Sequence, residues 1–62
     1  MQIELSREEA EALRELLQQK IVELDKEINR TDSLAFKQHL HHLDRTIERL
    51  LRELSGALDR SA

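Results

Sequence analysis

Apolar residues return along this chain every three or four positions in two runs. The first is Ala10, Leu13, Leu17, Ile21, Leu24 and Ile28; the second is Phe36, Leu40, Leu43, Ile47, Leu50, Leu54 and Ala57; a polar break at Arg30 to Ser33 separates them. At about 3.6 residues per turn, this spacing stacks each run along one side of an α-helix. The second run alternates steps of four and three throughout, which is the seam of a coiled coil. The runs are also mirror images: Ala10 and Leu54, Leu13 and Leu51, Leu17 and Ile47, Ile21 and Leu43, Leu24 and Leu40, and Ile28 and Phe36 lie symmetrically about Asp32. Two helices folded back on each other there would stack these residues in layers. The pattern predicts an all-α fold, an antiparallel two-helix hairpin forming one domain over residues 1–62.

Local signals set the expected bounds. Ser6 followed by Glu9 forms a capping box, with the serine hydroxyl accepting from the Glu9 amide and the Glu9 carboxylate reaching back to the Ser6 amide. Glu8, Glu9 and Glu11 add negative charge where the helix dipole favours it. Helix 1 is therefore placed over 7–30 and the turn over 31–33, with Ser33 the preferred cap of the second helix and Asp32 the next choice. Helix 2 is placed over 34–55, because Ser55 and Gly56 supply a stop in which glycine takes the left-handed conformation. Residues 56–62 are expected to fray. Ile3 and Leu5 alternate with polar neighbours in a short extended lead-in.

Length changes what this hairpin needs. A 62-residue chain hides only about 60% of its unfolded surface, and a lone core of this size seldom supplies more than ~3 to 5 kcal/mol. Cysteine is absent, which removes disulfides and thiolate metal sites and leaves self-association as the remaining common support. One helix can shield only one side of its neighbour's stripe, so Leu13, Leu16, Leu50 and Leu51 would stay partly wet in an isolated hairpin. A second copy packed face to face would cover them, giving a dimeric four-helix bundle. The two runs then supply core and oligomer interface together.

Composition and charge narrow the chemistry. Of the residues 37% are charged and 39% hydrophobic, with no proline and one aromatic, Phe36; that is the profile of long helices or a coiled coil. The net charge of −3, from 13 acids against 10 bases, argues against a general polyanion-binding surface. The row Arg45, Arg49 and Arg52 is nevertheless the candidate for RNA or DNA contact. Asp44, Glu48 and Glu53 intersperse it, and Glu48 with Arg52 and Arg49 with Glu53 have the spacing of helix-surface ion pairs. Three histidines, His39, His41 and His42, form the other cluster. His39 and His42 lie on neighbouring turns while His41 points away, so His39 and His42 are the candidate pair for a metal or a pH-sensitive contact. The bland reading, polar flank residues beside Leu40 and Leu43, is preferred, and no cofactor is expected.

Serines at 6, 33 and 55 sit at helix ends, where capping explains them, and no nucleophile has a base set beside it. Nor is there a Gly-rich phosphate loop. The chain is read as a non-enzyme. Leu16 and Val22 fall off the main stripe on opposite flanks, and a groove near them is a candidate contact for another protein, although isolated surface apolar residues are common. No run of about 18 apolar residues could span a bilayer, and the start lacks a basic segment followed by an apolar one, so the expected setting is the cytoplasm.

The segments Ile3-Glu4-Leu5-Ser6-Arg7-Glu8-Glu9-Ala10, Leu24 to Ser33 and Ile47-Glu48-Arg49-Leu50-Leu51 resemble short uncharacterised bacterial open reading frames that encode a helical hairpin. The likeness runs over nearly the whole chain and is most distinctive at Arg30-Thr31-Asp32-Ser33. It implies a hairpin fold in a bacterial cytoplasm and assigns no activity. In architecture alone, the expected bundle is also similar to the small dimeric RNA-binding bundles of plasmid copy control. The function these readings favour is a small homo-oligomeric interaction module, its partner being itself and, in second place, another protein; the alternative is a nucleic-acid accessory factor using the arginine row.

Overall fold

The computed structural model describes residues 1–60, of which two helices, α1 (Arg7–Arg30) and α2 (Leu34–Arg60), pack against each other. α1 starts where its capping box closes. The Glu9 amide donates to Ser6 Oγ at 3.1 Å and the Ser6 amide donates to Glu9 Oε1 at 2.9 Å. It ends at Thr31, whose amide still donates to the Glu27 carbonyl at 3.0 Å while its backbone has turned extended. Ser33 then caps α2: its hydroxyl accepts from the Phe36 amide at 3.3 Å, and its carbonyl accepts from the Lys37 amide at 2.9 Å.

The core is thin and lies toward the turn. Leu24, 1% exposed, forms a cluster with Ile28 and Leu40, and the half-buried Leu43 and Ile47 pack against it. Ala10 and Leu58 are buried near the open end. There the Arg7 guanidinium donates to the Leu58 carbonyl at 3.4 Å and ties the start of α1 to the end of α2.

Leu24 and Leu40, predicted to share a layer, do share the buried cluster, and the layer nearest the turn is the one corrected. Phe36, expected to face Ile28, is 49% exposed, and Leu40 is the buried residue that clusters with Ile28. Leu40 thus packs with both Leu24, its expected partner, and Ile28, one turn nearer the break. At the open end Ala10 and Leu58 are buried, while Leu54, expected opposite Ala10, is half-buried. The reason lies in side-chain direction. Helical side chains lean toward their own N-terminus, so each covers a surface spot about one position before it. In an antiparallel pair the two leans are opposed, and matching levels moves the register by about two residues. Leu40 then lies level with the space between Leu24 and Ile28, and Phe36 is left exposed. Leu13 is partly exposed, as expected for a residue that one neighbouring helix cannot cover.

A second correction concerns the end of α2. The expected stop at Ser55 and Gly56 does not occur: the helix continues to Arg60, and no glycine among the described residues takes a positive φ. Leu58 explains the difference. It follows Leu51 by seven residues and is 5% exposed. Burying a leucine is worth roughly 1.5 to 3 kcal/mol, which outweighs the ~1 kcal/mol cost of a glycine inside a helix. Residues 56–60 are thus helix rather than tail, and the last two residues of the expected tail lie outside the described residues.

Candidate functional site

α2 carries two overlapping rows, and α1 covers one of them. The protected row is Leu40, Ile47, Leu51 and Leu58, with Asp44 half-buried among them and its Oδ1 shielded from solvent without a hydrogen-bond partner. The other row, Phe36, Leu43, Leu50 and Ala57, repeats every seven residues and so drifts only about 20° per step along α2. It passes from the exposed Phe36 through half-buried Leu43 and Leu50 to the exposed Ala57.

At the open end this second row borders a groove of about 400 Å³. Its walls are the extended start of the chain (Met1, Ile3, Leu5), Leu13 of α1, and Leu50, Leu54 and Ala57 of α2, with Arg49 and Glu53 at its polar edge. Leu16, 61% exposed, stands three residues from Leu13 and therefore on the same side of α1. Toward the turn the same side of α1 becomes charged, with Lys20 paired to Glu23 at 3.8 Å and Glu27 exposed, so the apolar surface on this side is the second row of α2 together with the groove at the open end. The sequence reading placed a groove near Leu16 and Val22 instead. Neither residue lines this one, and Val22, 54% exposed, stands on the outer surface of α1. The missed lining residues are Met1, Ile3 and Leu5, whose alternation was visible but whose direction depends on how the chain enters α1.

The polar candidates are arranged differently. His39, His41 and His42 are all exposed. His41 and His42, rather than His39 and His42, share a shallow depression of about 300 Å³ with Gln38 and Arg45. Among the described residues, no three His, Asp or Glu side chains gather closely enough to hold a metal ion. The structure leaves Arg45, Arg49 and Arg52 exposed. Arg49 is engaged by Glu53 at 3.3 Å. The other ion pairs among the described residues are Arg7 with Glu11 at 3.2 Å and Lys20 with Glu23 at 3.8 Å, so the anticipated Glu48 to Arg52 pair is not formed. All three pairs are surface contacts worth little to stability.

One carboxyl group is electrostatically distinct. The Ser6 amide that donates to Glu9 holds its carboxyl below the usual glutamate range, the Ser6 hydroxyl assists, and slight desolvation works the other way. This belongs to the helix cap and marks no reactive centre. No helix among the described residues is long and apolar enough to cross a membrane. Comparison of the chain with protein-family models, with curated proteins and with solved structures gives no match in any of the three.

Proposed function

We propose that this protein is a small, non-enzymatic interaction module of the bacterial cytoplasm that acts as a homo-oligomer through protein–protein contacts. The observation that carries this reading is the apolar second row of α2 and the groove it borders at the open end, with Phe36 and Leu16 left in water beside them. Scattered apolar residues are ordinary on a surface, but a contiguous patch on a soluble chain marks an interface. Its extent fits the need of a hairpin whose own core holds few fully buried side chains.

The test is size-exclusion chromatography with light scattering on the purified chain. Helical protein at twice the chain mass is the expected result, and helical protein at the monomer mass from micromolar to millimolar concentration would end the proposal. The nucleic-acid alternative keeps one supporting fact, the exposure of Arg45 and Arg52. It requires retention on mixed RNA at low salt that disappears when Arg45, Arg49 and Arg52 are replaced together.

A further inference from the structure

The geometry points to one arrangement of two copies: the α2 rows Phe36, Leu43, Leu50 and Ala57 face each other, the hairpins run in opposite directions, and Phe36 of each copy seats at the Leu50 edge of the groove lined by Leu13, Leu50, Leu54 and Ala57 of the other. This rests on the homo-oligomer reading and adds the orientation and the contact that fixes it.

Three observations carry it. The first is area. The molecule measures 43 × 22 × 14 Å, so the outline of its broad side, on the order of 900 Å² in projection, is large enough to accommodate the ~800 Å² per partner of a standard stable interface. A narrow edge would fall well short of that.

The second is complementarity within one surface. Phe36, the only aromatic residue of the chain, projects half-exposed at the turn end, and the apolar groove of about 400 Å³ lies at the opposite end of the same side. A two-fold axis passing beside Leu43 carries position 36 onto position 50, because the row steps by seven residues on either side of it. Each copy then offers one knob and one groove, and both pairs form at once, as an isologous interface requires. Aromatic rings typically bury about 150 to 250 Å², so filling the two grooves accounts for the most exposed apolar surface of α2's second row.

The third is charge. A parallel pair would set Phe36 against Phe36, leave both grooves unfilled, and bring Arg49 beside Arg49 and Glu53 beside Glu53. Like charges juxtaposed at an interface are a cost. In the antiparallel pair Glu53 lies roughly 30 Å from its own copy along the axis at ~1.5 Å per residue, and Arg49 leaves its own copy to come level with Lys37 of the other, so the acidic repulsion is removed and the basic one is not increased.

The chain contains no Trp, Tyr or Cys, so introduced probes report alone. In Phe36→Trp, the emission is expected to shift to the blue as concentration rises through the association range. Adding Ala57→Lys, at an exposed helical position of the groove, is expected to abolish that shift and return the chain to monomer while helicity is kept. Direction is read by oxidising a mixture of Phe36→Cys and Leu50→Cys proteins. A disulfide joining the two variants is expected, with no cross-link in either variant by itself. A dimer by light scattering whose introduced indole stays in water, or a ready disulfide within Phe36→Cys alone, overturns the arrangement and leaves the homo-oligomer reading standing. A monomer at every concentration overturns both.

Discussion

At the scale of single residues, the two ends of the hairpin give opposite lessons. Gly56 is helical, and a Cβ added there would meet Arg60 Nη2 at 3.8 Å, an ordinary contact. Gly56→Ala is therefore expected to stabilise the protein by about 1 kcal/mol, raising the melting temperature followed by circular dichroism by roughly 4 to 8 °C for a domain of this size. Had glycine been closing the helix in a left-handed conformation, the same change would destabilise. At the other end, the Glu9 carboxyl is held below its ordinary range by the Ser6 amide. The unfolded chain therefore binds this proton more readily than the folded one. The resulting stability is full above the ordinary glutamate pKa of about 4.3 and is lost as pH falls through the lower folded value. Glu9→Gln can still reach back to the amide but cannot titrate, so it should flatten that part of the acid limb in melts collected from neutral pH downward. An unchanged acid limb would mean that the carboxylate does not hold the cap in solution.

At the scale of elements, Leu58 separates a helix from a tail. Leu58→Ala is expected to cost about 2 to 5 kcal/mol, the range for removing a buried leucine side chain, and so to lower the urea midpoint nearly as far as Leu24→Ala. A loss below 0.5 kcal/mol would return residues 56–60 to the status of a frayed end. The same residue marks the limit of what could be read from the chain. Helix identity, the Ser6 cap and the Ser33 cap depend on neighbours within four positions, and those signals were legible. Register depends on where side chains from two helices meet. α2 has one wholly apolar row through Phe36, Leu43, Leu50 and Ala57, and beside it a protected row of Leu40, Ile47, Leu51 and Leu58 that the polar Asp44 interrupts. Binary pattern favours the first row, whereas the opposed lean of side chains brings the second against α1. The candidate groove was hidden for the same reason, since its walls combine a row judged to be core with an extended start whose path no periodicity specifies.

At the scale of the molecule, the question is where the stability of so small a fold comes from. Only Ala10, Leu24, Ile28, Leu40 and Leu58 are buried within the described residues, a core in keeping with the ~3 to 5 kcal/mol that a scaffold of this size can hold alone. If a second copy supplies the remainder, folding and association are one equilibrium and the melting temperature must depend on concentration. Tenfold in concentration corresponds to about 1.4 kcal/mol per dimer, or about 0.7 kcal/mol per chain, which converts to a rise of roughly 3 to 6 °C for each decade. Differential scanning calorimetry across two decades would resolve that slope, and Ala57→Lys should remove it while leaving a less stable, concentration-independent transition. Salt supplies an independent discriminator. Apolar burial survives added salt, whereas a function resting on Arg45, Arg49 and Arg52 against phosphates would weaken steeply with it. A dimer mass that holds from 50 mM to 500 mM sodium chloride (chosen as roughly a tenfold range of screening) therefore locates the binding energy in the row through Phe36, Leu43 and Leu50 rather than in the charged surface.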